Sequence, residues 1–146
     1  MTNQDLVESR MTDARRFLEY AERALADGFF HHVIQFAQRA AELAIKALLA
    51  KEGKDAPHVH DLAKLVSTLP VVRNLPSDTQ SRLYSSNRDL ARERLTSIYG
   101  SDEGVPPEEL YEREEAEKAL KQGGFVVSTV EALISAEGQA RDESKE

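Results

Sequence analysis

The stretch FFHHVIQFAQRAAELAIKALLAKEG, residues 29–53, decides the fold. Val33, Ile34, Phe36, Ala37, Ala40, Ala41, Leu43, Ala44, Ala47 and Leu48 cover most of a helical cylinder instead of a single stripe. That pattern describes a helix buried on more than one side. Its many alanines let neighbouring helices come close. Gly53 closes it, since glycine takes the left-handed conformation at a helix C-terminus at little cost. Such a helix needs others around it, and the flanking sequence supplies them.

Upstream, Leu6, Met11, Ala14, Phe17, Leu18, Ala21 and Leu25 recur at three- and four-residue steps and predict an amphipathic helix over 4–27, ended by Asp27-Gly28. Downstream, a linker leads into a short helix over 60–69 with Leu62, Leu65, Val66 and Leu69 inward, stopped by Pro70. The segment 71–76 reads as a loop. Ser77-Asp78-Thr79-Gln80 has the S-x-x-Q form of a capping box and starts a fourth helix over 77–98, with Tyr84, Ala91, Leu95 and Ile98 as its buried stripe. Residues 101–110 form a polar, proline-bearing loop, the segment best suited to move. The last helix spans 107–135 and carries Leu110, Tyr111, Ala116, Ala119, Leu120, Phe125, Val126, Val130 and Leu133. Gly123-Gly124 inside it fit either a kink or a close helix contact. The reading is all-α: about five helices in one domain over 1–136, then a polar C-terminal tail over 137–146.

Composition narrows the function. With 40% hydrophobic and 31% charged residues in 146, the chain suits a globular domain with well-solvated helix faces. Cysteine is absent, which excludes disulfides and thiolate metal sites. The first ten residues lack the apolar run of a signal peptide, and no apolar stretch approaches the roughly 20 residues that span a bilayer. A cytoplasmic protein without membrane contact is expected. The net charge of −7 is uneven: residues 1–30 carry −2, residues 31–100 carry +3 and residues 101–146 carry −8. Only the middle segment supplies a basic surface for nucleic acid.

Ala40-Ala41-Glu42-Leu43-Ala44, then Lys46-Ala47-Leu48-Leu49, then a glycine, then His60-Asp61-Leu62 opening the next helix resemble the signature region of small prokaryotic HEPN proteins. Tyr99 before a proline-bearing loop, and Tyr111 before an alanine-containing last helix, are similar too. The resemblance covers residues 5–135. It implies an up-down helical bundle, commonly homodimeric. It also implies pairing with a minimal nucleotidyltransferase (MNT), often as a toxin–antitoxin couple. Active members are metal-independent ribonucleases with an R-x4–6-H motif at the dimer cleft. Here Arg92 to Tyr99 aligns with the R-x4-H-x-Y form, but Ser97 stands in the histidine position, and His31, His32, His58 and His60 all lie upstream. Metal-free RNA cleavage needs a group that exchanges protons near neutral pH, which imidazole does and a lone serine hydroxyl does not.

Six residues stand as candidates. Arg88, Arg92 and Tyr99, at i, i+4 and i+11, lie near one face of a continuous helix, where two guanidiniums beside a phenol bind phosphate and stack on a base. Glu42 and Lys46 form an i,i+4 pair in the favourable order, reading as a salt bridge or, with Arg39, as a cleft wall. His60, beside a helix-capping Asp61, is a candidate proton donor, and with Arg92 it is the candidate for any catalysis. His58-x-His60 offers two metal ligands and no third, so no metal and no cofactor is expected. The expectation is a degenerate, non-catalytic HEPN homodimer that binds a nucleotide or RNA, or docks a nucleotidyltransferase. The alternatives are a ribonuclease toxin and a helical module that binds only protein.

Overall fold

A computed structural model describes the backbone of residues 1–144 and the side chains of residues 1–136. Among these residues the chain forms α1 (Asn3–Asp27), α2 (Phe30–Lys51), α3 (Ala63–Ser67), α4 (Pro70–Arg73), α5 (Ser77–Arg92), α6 (Arg94–Tyr99) and α7 (Arg113–Ser144), with a 3-10 turn at Pro107–Glu109. No strand occurs among the described residues. The all-α bundle is the fold that the sequence pattern implies.

The start of α1 is fixed by a reciprocal cap. The Thr2 hydroxyl accepts from the Asp5 N–H at 3.1 Å, and the Asp5 carboxylate accepts from the Thr2 N–H at 2.9 Å. Gly28, at φ 78°, ends α1 in the left-handed region and turns the chain back on itself. Val7, Met11, Ala14, Ala21 and Ala24 of α1 are buried. In α2 the buried set runs from Val33 to Ala50 and includes six alanines among its twelve members. Helix α2 touches α1, α5, α6 and α7, so it is the centre of the bundle.

The glycine pair divides its roles. A Cβ on Gly123 would lie 3.0 Å from the Ala37 carbonyl oxygen and 3.1 Å from the Ala37 Cβ, so this glycine is where α7 closes on α2. A Cβ on Gly124 would meet nothing within 4 Å. Helix α7 runs through both without interruption. A close contact, not a kink, explains Gly123.

Five expectations need correction. The fourth helix is not continuous over 77–98: it ends at Arg92, Glu93 is a turn, and α6 begins at Arg94. Its buried positions are Leu83, Ser86, Asn87 and Leu90, followed by Ser97 in α6. Tyr84 and Ala91 are only half-buried, and Leu95 and Ile98 are exposed. The capping box at 77–80 does not form, because the N-cap is Pro76, which has neither a side-chain acceptor nor an N–H for a glutamine to accept. Gln80 instead donates to the carbonyls of Arg73 and Leu75 at 3.0 and 2.7 Å, satisfying the end of α4. Residues 71–76 are not all loop, since Pro70 opens α4 at the position where its missing N–H costs nothing. The last helix starts at Arg113, later than expected, and its backbone continues to Ser144. The side chains of the polar tail expected over 137–146 lie outside the described residues.

The two glycines make a paired test by urea denaturation. Gly123→Leu forces a side chain into the α2–α7 contact and lowers stability by about 1–3 kcal/mol. Gly124→Ala meets open space and raises stability by about 0.5–1 kcal/mol.

Candidate functional site

The end of α5 and the start of α7 enclose an open groove of about 290 Å³. Arg92 stands on one wall, and Asp89, Glu93, Glu115 and Lys118 complete a mixed-charge rim. The Arg92 guanidinium is exposed and makes no hydrogen bond or ion pair among the described residues. The carboxylates are better tied. Asp89 accepts from the Gln122 amide at 2.9 Å and faces Lys118 at 4.0 Å. Glu93 accepts from the Tyr111 hydroxyl at 2.7 Å. That bond joins the turn between α5 and α6 to the chain entering α7. Burial, then the bond to Glu93, then the Glu93 and Glu115 charges push the Tyr111 phenol well above its ordinary pKa.

On the opposite side of Leu90 lies a smaller cleft, lined by Gln38, Glu42, His60 and Asn87. Glu42 is nearly buried on α2 and sits 2.5 Å from His60 Nδ1 and 3.9 Å from Lys46 Nζ. A carboxylate only accepts, so Nδ1 carries the hydrogen and Nε2 is left uncommitted on an exposed ring. The structure thus brings Glu42, Lys46 and His60 together. Asp61 lies one residue before Leu62, the N-cap of α3, and accepts from the Ala63 N–H at 3.2 Å. His58 is exposed, and among the described residues no group of three or more His, Cys, Asp or Glu side chains is placed to hold a metal. His31 and His32 pack ring on ring at 4.1 Å, with His32 also against Phe29 and Phe36.

Arg88, Arg92 and Tyr99 are not presented as one continuous face, because the turn at Glu93 separates Tyr99 from the other two. Arg88 donates to the Tyr84 hydroxyl at 2.7 Å. Arg92 and His60 line different clefts, with Leu90 between them. Tyr99 is 77% exposed, beside Leu95 at 60% and Ile98 at 41%. On one short helix, positions 95, 98 and 99 share a face, so α6 turns an apolar face outward. Its inner position is Ser97, fully buried, with its hydroxyl on the Arg94 carbonyl at 3.0 Å and its own carbonyl accepting from Gln35 at 2.6 Å.

The HEPN domain family model matches residues 7–133, and the chain belongs to that family. The crystal structure of TT1696 from Thermus thermophilus is similar at a TM-score of 0.75 and 27% identity, over 87% of this chain and 97% of that one. ST0689, an archaeal HEPN homologue, shares the fold at a TM-score of 0.69 and 23% identity, over 88% and 97%. No curated protein matches the chain. No helix among the described residues is long and apolar enough to cross a membrane.

The bond between Glu93 and Tyr111 escaped the sequence, where Tyr111 reads simply as an apolar position. Two partners 18 residues apart leave no periodic signal. Tyr111→Phe removes only the hydroxyl and costs about 1–2 kcal/mol near neutral pH. The pH dependence follows from the sign of the shift. A phenol whose folded pKa is raised stabilises the fold fully below the unfolded value of about 10, and that contribution is lost as pH rises through the folded value. Urea melts at about pH 7 and about pH 11 therefore show a steeper alkaline loss in the wild type than in Tyr111→Phe.

Proposed function

We propose that the chain is a non-catalytic HEPN protein that binds a phosphate-bearing ligand, a nucleotide or RNA, as a homodimer. The observation that carries this reading is Ser97. The position where active members place the motif histidine is fully buried, and its hydroxyl is engaged by its own helix. Arg92, by contrast, points its charge into an open groove with no partner among the described residues. A guanidinium binds phosphate without needing a proton acceptor beside it, whereas cleavage needs both. The outward apolar face of α6 supports self-association.

The test incubates the protein with labelled single-stranded RNA and with ATP, without metal, and reads cleavage and retention. Retention without cleavage, weakened about tenfold or more in Arg92→Ala, is expected. Cleavage by the wild type that disappears in both Arg92→Ala and His60→Ala would establish the ribonuclease alternative instead. Analytical ultracentrifugation gives the second check. The wild type sediments as a dimer at micromolar concentration, and Leu95→Glu with Tyr99→Glu shifts it to monomer. A monomeric wild type assigns the α6 face to a heterologous partner, of which a minimal nucleotidyltransferase is the first to try.

A further inference from the structure

We infer that the ligand also uses a second seat, the cleft between α1, α2 and α6 that Arg39 and Arg94 both line, with phosphate on the two guanidiniums and a planar ring edge on Gln38. This rests on the ligand-binding reading above and assigns part of the binding to residues outside the family motif.

Charge points to this seat first. In a chain of net charge −7, the lining of this cleft holds two arginines and no carboxylate, whereas the groove at Arg92 holds three carboxylates. Neither guanidinium makes a hydrogen bond or ion pair among the described residues. Arg39 lies 5.1 Å over the Phe17 ring, an arrangement that orders the side chain and leaves its N–H edges uncommitted. Arginine is weakly hydrated and forks onto phosphate oxygens, so two of them without a counter-charge form an anion seat.

An uncommitted amide points to it independently of charge. Gln38 is 3% exposed as a residue, and its amide makes no hydrogen bond among the described residues and keeps its polar atoms in touch with solvent. Gln38 lines both this cleft and the neighbouring one that holds Glu42 and His60. The nearby Gln35 is different: it is consumed by the Ser97 carbonyl and ties α6 to α2.

The shape of the cleft agrees with both. Phe36 and Ile98 wall it, and its volume is about 100 Å³. That is room for one ring, with the phosphate left at the open rim. An apolar wall, a buried amide and two cations match a nucleobase and its phosphate, from a free nucleotide or from a single strand. A bare carboxylate of a partner protein would leave Gln38 and the ring-sized space unused.

The experiment measures anisotropy of a labelled single-stranded 12-mer RNA and, separately, of a labelled ATP analogue, at several salt concentrations, for the full chain. Arg39→Gln with Arg94→Gln is expected to weaken binding of the ligand that the protein takes by about tenfold or more, and for RNA to lower the salt slope by about 2. Gln38→Leu is expected to weaken binding a few-fold at unchanged salt slope while leaving the fold as stable as before, since the amide makes no hydrogen bond among the described residues. A structural role for Gln38 would instead lower stability. Arg15→Gln, remote on α1 and paired with Glu131 at 2.6 Å, controls for net charge and leaves binding unchanged. Loss of binding confined to one probe names the source of the phosphate. If Arg92→Ala weakens binding and the double variant does not, the inference is overturned and the ligand-binding reading stands. If the double variant disturbs only the dimer, the cleft seats a second copy and the inference is likewise overturned. A wild type that binds neither probe removes both.

Discussion

The constraint on which the structure depends is how closely α7 and α1 can approach α2. A helix surrounded on nearly every side has to be thin, and α2 achieves this with alanines where its neighbours cross. The contact of Gly123 with Ala37 is the tightest expression of it, with backbone against backbone and no side chain between. Interiors are close-packed, so such a contact cannot be relaxed by small shifts. The consequence reaches the candidate sites. Of the polar residues that α2 carries, Gln35, Gln38, Arg39 and Glu42 line clefts that α5 and α6 leave partly uncovered.

The readable and unreadable parts of the sequence divide on a physical line. Helix α2 is legible because burial on all sides leaves an unmistakable composition. Helix α1 is legible because one apolar stripe runs its length and a terminal glycine ends it. The α5–α6 region misleads because its break has no glycine or proline to announce it. Glu93 keeps φ −88° and ψ −3°, and the buried face runs on through Leu83, Leu90 and Ser97, beside the stripe of Tyr84, Ala91 and Ile98 that apolar type alone picks out. Leu95 and Ile98 then count as core by type while the structure turns them to solvent. Apolar character fixes what a side chain prefers, and it does not fix whether the covering surface belongs to the same chain. The candidate residues show the same division. Glu42 and Lys46 are adjacent on one helix and recognisable as a pair, but the bond from Glu42 to His60 crosses a linker and is a product of folding.

The turn at Glu93 also explains the electrostatic layout. An uninterrupted helix would carry Arg92 and Tyr99 on one surface. The break instead gives Arg92 to the groove beside α7 and Arg94 to the cleft beside α2, and stands α6 between them with its apolar side outward. The carboxylate at the break does not float. Its bond to the buried Tyr111 hydroxyl holds the turn against the chain that leads into α7. A charged acceptor held by a phenol of raised pKa remains a fixed negative feature near Arg92, which limits how strongly that groove alone attracts an anion.

This limit bears on whether the protein cuts RNA or only holds it. Strand cleavage without metal requires a proton acceptor and a charge stabiliser in reach of one phosphodiester. The chain has an imidazole that Glu42 orients, and it has unpaired arginines, but Leu90 stands between the clefts of His60 and Arg92. Within one protomer the two line separate clefts whose shared wall residue is Leu90. The motif position that would have supplied the imidazole beside Arg92 is a serine sealed under α6. What remains assembled around α2 is recognition chemistry, namely cations, amides and apolar walls. That is the ground on which we propose binding instead of turnover.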